Sequence, residues 1–163
     1  MIQKIISGGQ TGADRAALDF AIKHNLPYGG WVPKGRKTED GTLSEKYHLQ
    51  EMATGQYSKR TEKNILDSDG TLIVSHGLLT GGSALTRELA KQHRKSWIHV
   101  DLKATSYPEA ARMIREWVRR NGVKAMNVAG ARGSKDPKIY QAVIELLKAM
   151  LGEPNYPRKD ARQ

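Results

Sequence analysis

Leu72-Ile73-Val74-Ser75-His76-Gly77, continuing to Thr80-Gly81-Gly82-Ser83, is the stretch that decides the fold of this 163-residue chain. The apolar run from Thr71 to Val74 predicts a short buried strand, and a glycine-rich loop follows it. A helical pattern then begins at Ser83. A strand, a glycine-rich loop and a helix can hold phosphate, because the first turn of a helix has unpaired N–H groups and a partial positive charge. We therefore predict that Gly81, Gly82 and Ser83 bind an anionic ligand.

The same unit occurs at the start of the chain. Ile2 to Ile6 predicts a strand, Ser7 to Asp14 forms a glycine-rich loop, and Arg15 to His24 predicts a helix. The loop resembles a dinucleotide fingerprint but lacks the G-x-G-x-x-G spacing. Its glycines would let the backbone wrap a phosphate, whereas Asp14 could simply cap the helix. The candidate ligand-binding residues here are Gly8, Gly9, Gln10, Thr11, Gly12 and Asp14.

A third unit lies near the end of the chain. Ala125 to Ala129 predicts a strand, Gly130 to Ser134 forms the loop, and a helix should begin near Asp136-Pro137, because proline suits the first turn. Within this loop Arg132 is a candidate for binding the ligand. Before this unit, Trp97 to Leu102 predicts a strand, and a helix runs from an N-cap at Ser106 to Asn121-Gly122.

The alternation of strands and helices predicts one α/β domain over residues 1–151, with a mostly parallel sheet and helices on both faces, in three layers. Residues 152–163 form a basic, proline-containing tail. Ligands of such sheets bind beyond the carboxyl ends of the strands. Since all three glycine-rich loops directly follow a strand, we expect them to meet on one rim and to bind a phosphorylated ligand.

Two polar segments could contribute to this site. Pro33 to Tyr47 predicts a long loop in which Lys34 and Arg36 could contact a phosphate. Glu39 and Asp40 of that loop could bind a ribose or amino group, a metal, or nothing. A polar helix over Tyr57 to Asp69 places Arg60, Asn64 and Asp67 on one face.

Composition excludes several kinds of site. The chain has no cysteine, so it has neither disulfides nor thiolate metal ligands, and a reducing cytoplasm is the expected location. No apolar segment is long enough to span a membrane, and no signal peptide is evident. The net charge of +10 favours anionic partners, but no strip of aromatic and basic residues indicates single-stranded nucleic acid. The five histidines show no metal-ligand spacing, although His76 directly follows the central strand.

Several motifs together resemble one known family, the molybdenum carrier family, whose members are similar to molybdenum cofactor carrier proteins. The resemblance extends over roughly residues 1 to 150. It implies a Rossmann-like fold related to cytokinin-activating phosphoribohydrolases and lysine-decarboxylase-like proteins, and assembly into homodimers or homotetramers. The motifs are Ser7-Gly8-Gly9-Gln10-Thr11-Gly12-Ala13-Asp14, Gly30-Trp31-Val32-Pro33-Lys34-Gly35-Arg36, Glu39-Asp40-Gly41, Arg60-Thr61-Glu62-Lys63-Asn64, Asp67-Ser68-Asp69-Gly70-Thr71 and Thr80-Gly81-Gly82-Ser83.

The resemblance implies a binding protein for the molybdenum cofactor, which is a pterin with a phosphate and a dithiolene. Glycine-rich loops would hold the phosphate, Lys34 and Arg36 would neutralise charge, and the cofactor's own sulfurs would hold the metal, so no metal ligand is expected from the protein. One alternative is a nucleotide hydrolase that cleaves an N-glycosidic bond, with Glu88 and Arg87 as catalytic candidates by analogy with the phosphoribohydrolases. Another is a nucleotide or ADP-ribose sensor without turnover.

Overall fold

The computed structural model describes residues 1–151, so the predicted tail at 152–163 lies outside the described residues. The strands are β1 (Lys4–Ile6), β2 (Tyr28–Gly29), β3 (Trp31–Val32), β4 (Lys37–Thr38), β5 (Gly41–Thr42), β6 (Gln50–Glu51), β7 (Gly70–Ser75), β8 (Ser96–Asp101) and β9 (Ala125–Gly130). The helices are α1 (Ala13–Lys23), α2 (Tyr57–Leu66), α3 (Gly81–Gln92), α4 (Tyr107–Asn121) and α5 (Ile139–Leu151).

The central sheet has five parallel strands in the order β2-β1-β9-β7-β8. Leu72 and Val74 of β7 pack into the large apolar core that α1, α4 and α5 share. Ile73 lies between them in the extended strand, so it points to the opposite face, and it is equally buried. Helices α2 and α3 contact each other and α3 contacts β7. The predicted α/β fold with a parallel sheet is therefore confirmed.

The ends of the helices follow the sequence closely. Ser106 caps α4 as predicted, because its Oγ accepts a hydrogen bond of 3.3 Å from the Glu109 N–H. Gly122 ends the helix in the left-handed conformation, with φ of 60°. Helices α1 and α3 begin two residues earlier than predicted, and α5 begins at Ile139. Among residues 1–151, no helix combines the length and the apolarity that crossing a bilayer requires.

The sequence of Tyr28 to Val32 is compatible with one short strand, but the structure divides this segment into two strands. Its first half, β2, pairs with β1, whereas its second half, β3, pairs with β6 outside the main sheet. Gly30 separates the halves with φ of 135°, and a Cβ at this position would overlap the backbone of Ser7. Only glycine allows both this conformation and this close approach.

The predicted long loop after Pro33 is more ordered than its sequence indicates. It contains a turn of 3₁₀ helix at Lys34–Arg36 and the β4–β5 hairpin. The guanidinium of Arg36 donates to the carbonyl oxygens of Ser44 (2.9 Å) and Tyr47 (2.8 Å) and, through Nε, to that of Leu43 (3.1 Å). This one side chain therefore holds the segment together.

Candidate functional site

A cleft of about 370 Å³ lies at the carboxyl ends of β1, β7 and β9. Its volume falls within the range typical of small-molecule sites. The three glycine-rich loops all contribute to its walls, as the strand pattern predicts, and α2 adds a fourth wall. Among the predicted binding residues, those that line the cleft are Gly8, Gln10, Asp14, Gly82, Ser83 and Arg132.

Arg60 is the central cation of the cleft. Its side chain extends from α2, only 6% of its surface is exposed, and Nη1 donates to the carbonyl oxygen of Gly8. Within residues 1–151 it forms no ion pair with a carboxylate. No buried side-chain nitrogen or oxygen in that range lacks a hydrogen-bond partner, so the other guanidinium nitrogens keep some accessible surface, and Arg60 is one of the residues that line the cleft. The geometry leaves these donors available to a bound molecule.

The first turn of α3 contributes backbone donors next to this cation. The Ser83 N–H bonds to the Thr80 carbonyl at 3.2 Å and its side chain lines the cleft, so ligand binding by Ser83 stays a prediction that now concerns its hydroxyl. The N–H groups of Gly81 and Gly82 have no acceptor among residues 1–151. Lys135 also lines the cleft, and its Nζ lies against Gly81. These groups give this end of the cleft a positive potential.

Asp14 is the carboxylate of the cleft wall. It does not cap α1; its Oδ2 instead accepts a hydrogen bond of 3.3 Å from the Gln10 N–H in the preceding loop. Burial raises the pKa of Asp14 to about 6, although Arg60, the Gln10 N–H and Arg15 work in the opposite direction.

The remaining residues of the first loop build its shape and do not line the cleft. Gly9 and Gly12 adopt positive φ angles of 73° and 79°. A Cβ on Gly12 would overlap the backbone of the β9–α5 loop. The hydroxyl of Thr11 donates to Glu39 and accepts from the Gly133 N–H at 3.0 Å.

Glu39 joins three segments next to the cleft. It accepts hydrogen bonds from Thr11 and from both the N–H and the hydroxyl of Ser134, and Arg132 lies 3.7 Å away. Burial opposes its ionisation, but the hydrogen bonds from Ser134 and Thr11 hold the pKa of Glu39 below its usual value. It therefore attaches the β4–β5 hairpin to the loop after β9.

Besides Gly81 and the first-loop residues above, four more predicted site residues do not line the cleft. Lys34 is exposed, and Arg36 uses its donors on backbone carbonyls. The catalytic candidates Arg87 and Glu88 pair with each other on the outer face of α3, where Glu88 also lies near Lys91. The structure therefore does not bring these two residues to the loops that they were expected to serve.

Sequence reasoning missed two paired histidines. The first pair is that of His99 with Ser75, whose Oγ lies 2.7 Å from Nε2 of the imidazole. Ser75 donates to the Gly77 carbonyl, so the imidazole donates to the hydroxyl and does not activate it. Nδ1 of His76 lies 2.6 Å from Asp136, and both side chains line the cleft. The position of Asp136 just after the third glycine-rich loop was the one available signal for this pair.

The described part of the chain has no group of three or more histidine, aspartate or glutamate side chains placed to hold a metal ion. The Asn64 amide bonds to both the N–H and the carbonyl of Trp31, so it holds β3 against α2. Asp67 accepts from the indole of the same tryptophan. Of the three residues predicted on one face of α2, Arg60 therefore carries the charge in the cleft and the other two position an edge strand.

Comparison with known proteins adds a family to this geometry. The family described as the circularly permutated YpsA SLOG family matches residues 5–151. A crystal structure at 1.45 Å resolution, that of "Putative molybdenum carrier protein" from Syntrophus aciditrophicus SB, is 61% identical in sequence. The similarity covers 93% of this chain and 96% of that one, with a TM-score of 0.92. No curated protein matches. The resemblance inferred from the motifs is confirmed, and the chain belongs to the circularly permutated YpsA SLOG family.

Proposed function

We propose that this protein binds a phosphorylated small molecule in the cleft, and that this molecule is the molybdenum cofactor. The observation that carries the proposal is the guanidinium of Arg60, which is buried and forms no direct ion pair among residues 1–151, although it attracts the Asp14 carboxylate of the same cleft. Burying a charge is costly unless the charge is paired. An anionic ligand group would supply the missing partner, and the free N–H groups of Gly81 and Gly82 would bond to the same anion.

The rest of the cleft suits a flat, polar ring attached to that anion. Tyr57 contributes an aromatic ring, whose centroid is 5.5 Å from the Arg60 guanidinium carbon, and Leu78, Leu79 and Leu85 contribute apolar surface. Asn127 adds a side-chain amide. A pterin could stack on such surfaces and hydrogen-bond at its edge. Because the dithiolene sulfurs of the cofactor hold its metal, the proposal requires no metal-ligating side chain from the protein. The name of the Syntrophus protein supports this choice of ligand.

A nucleotide is the second candidate, because the same aromatic ring and cation would accept a base and a phosphate. The hydrolase hypothesis loses its assigned residues, since Glu88 and Arg87 lie outside the cleft. A nucleotide or ADP-ribose sensor needs neither residue and remains the form of this alternative that the geometry supports. From the family resemblance we also infer a homodimer or homotetramer, which light scattering would measure.

The test is a thermal-shift series with molybdopterin, AMP, ADP-ribose, NAD and tungstate. A ligand at 100 times its dissociation constant stabilises the folded state by about 2.7 kcal/mol, which raises Tm by roughly 5–10 °C for a chain of this size. Molybdopterin should give this shift. A Tm shift with adenine nucleotides alone would favour the sensor hypothesis over the carrier hypothesis. If none of the five compounds shifts Tm, binding in the cleft is refuted.

The variant Arg60→Gln tests whether the thermal shift with molybdopterin arises from binding in the cleft. Losing a charge-assisted hydrogen bond of about 1.5–3 kcal/mol should weaken the binding of molybdopterin roughly 10–150-fold. Arg112→Gln removes the same charge from an exposed position on α4 and is the matched control. Equal weakening by both variants would point to a diffuse charge effect and would contradict the role assigned to Arg60.

A further inference from the structure

Asp14 and Arg60 line the same cleft, so a bound anion would meet both of them. One oxygen of Asp14 accepts from the Gln10 N–H. The other, Oδ1, has no partner among residues 1–151, and because no buried side-chain oxygen in that range is left unpartnered, Oδ1 opens onto the cleft. An anion bonded to Arg60 would therefore face a second negative charge at short range.

Two anions side by side repel, and a proton between them converts the repulsion into a hydrogen bond. We infer that Asp14 hydrogen-bonds the anion that Arg60 holds, so that an anion enters the cleft together with one proton unless it already carries one. The inference rests on the anion site proposed above and specifies its ligand class: oxyanions with an ionisable proton, such as a phosphate monoester.

The proton balance differs between two simple probes. Hydrogen phosphate brings its own proton and donates it to the Asp14 carboxylate. Sulfate has no proton at neutral pH, so one proton must come from solvent to Asp14, whose O–H then donates to a sulfate oxygen. A phosphate monoester has its second pKa near 6, so as a dianion it takes up one proton that it shares with Asp14. No bond between heavy atoms changes in any of these cases.

The pKa of Asp14, about 6, sets the size of the effect. Above that pH the protonated fraction of Asp14 falls tenfold per unit, so sulfate affinity should fall about tenfold per unit, or about thirtyfold by pH 7.5. Hydrogen phosphate should show little change between pH 7.5 and 9, because it keeps its proton throughout.

Other charged groups face the same cleft and enter this balance. Those that line the cleft are Arg60 of α2, His76 after β7, and Arg132, Lys135 and Asp136 in the loop after β9, whereas Arg15 of α1 acts on Asp14 from outside the lining. The lining residues of α3 are uncharged. His76 and Asp136, whose Nδ1 and Oδ2 atoms lie 2.6 Å apart, are a second place in the lining where a proton could be held, so they could produce a similar trend. His76→Gln must therefore be tested alongside.

The experiment is an NMR titration of the Gly81 and Gly82 amides with inorganic phosphate and with sulfate between pH 6 and 9. Asp14→Asn keeps an acceptor for the Gln10 N–H and gains a permanent donor. Its sulfate affinity should be independent of pH and about thirtyfold tighter than that of the wild type at pH 7.5. His76→Gln should retain the wild-type slope, and Glu145→Gln, an exposed neutralisation on α5, should match the wild type throughout.

The outcomes separate the inference from the function on which it rests. If both anions shift the two amides with affinities that are independent of pH in the wild type, or if His76→Gln abolishes the slope, the role of Asp14 is refuted and the anion site stands. If neither anion shifts either amide at any pH, the anion site itself is refuted, and the inference with it.

Discussion

Replacing Gly8 by alanine should disable the cleft while leaving the fold intact. A Cβ built on Gly8 would lie 2.5 Å from Nη1, 2.7 Å from Cζ and 2.9 Å from Nε of Arg60. All three are atoms at the far end of one flexible side chain, and φ of Gly8 is not positive, so the backbone can accept alanine. The methyl group can therefore be accommodated only if the guanidinium moves.

The structure sets the size of this movement. Carbon and nitrogen in contact are separated by roughly 3.5 Å, so Nη1 must retreat by about 1 Å, and at most its hydrogen bond to the Gly8 carbonyl is lost. That loss costs about 1 kcal/mol, and the smaller entropy of the unfolded alanine chain returns about 0.4–1 kcal/mol. The net change in the free energy of unfolding should stay within about 1 kcal/mol. A guanidinium displaced from the anion should lose about 1.5–3 kcal/mol of binding, or roughly 10–150-fold in affinity.

Urea unfolding and the phosphate titration of Gly81 and Gly82 together measure both quantities. Gly55→Ala is the matched control, because a Cβ at Gly55 meets nothing within 4 Å and this glycine does not line the cleft. If Gly8→Ala binds phosphate as tightly as Gly55→Ala does, Arg60 does not contact the anion and the reasoning fails. A loss of several kcal/mol in stability would show instead that the backbone of the first loop cannot relax around the methyl group.

Three further predictions follow from contacts outside the anion site. Gly130→Ala should lose about 1–3 kcal/mol of stability in urea unfolding, because its Cβ would lie 2.5 Å from the Val74 carbonyl oxygen and 2.7 Å from the Ala13 Cβ, neither of which can easily move. Unchanged stability would contradict the close packing of β7 and β9. Arg36→Ala should cost about 2–3 kcal/mol of stability in urea unfolding, since four carbonyl oxygens lose an arginine donor, but should leave phosphate affinity unchanged; weaker binding would show that Arg36 contributes to the site. Hydrogen bonds from Arg15 and Thr38 lower the pKa of Asp40 to about 2. The small contribution of ionised Asp40 to the stability of the fold should therefore be complete above about pH 4 and lost as pH falls through 2. In thermal unfolding, the Tm of Asp40→Asn should depend less on pH over that range than the Tm of the wild type does.

The strands, and the edge of the sheet at which the candidate site lies, could be predicted because their sequence signals are local. The buried run at Gly70–Ser75 and the glycines after β1, β7 and β9 indicate strand-loop-helix units wherever they occur. Parallel strands bring their carboxyl ends to one edge, so the convergence of the three loops followed from the pattern. The division of Tyr28 to Val32 between two sheets could not be predicted from the pattern, because it depends on the contact between Gly30 and Ser7, which is distant in sequence.

The site residues were harder to predict because a charged side chain looks the same in sequence whatever it contacts. Lys34 and Arg36 have the composition of a phosphate-binding loop, yet Arg36 binds carbonyl oxygens of its own segment. Helical periodicity could have excluded Glu88, because Ser83, Thr86 and Ala90 are the buried positions of α3 and Glu88 lies on the opposite side. It could not have excluded Arg87, which is four residues after Ser83 and three before Ala90 and so borders the buried face. The cation of the cleft, Arg60, was placed on the correct helix face, but its burial against Gly8 depends on tertiary packing.

The strand order also constrains how the chain is made. Among residues 1–151, β9 is the last strand to leave the ribosome, yet it lies in the middle of the central sheet, between β1 and β7. During translation, before Ala125 emerges, the strands of the central sheet can form only two separate pairs, β2 with β1 and β7 with β8. Two walls of the cleft have no fixed relation to each other until β9 joins these pairs. A polypeptide truncated before β9 would therefore retain most of the residues that line the cleft and still be unable to assemble it.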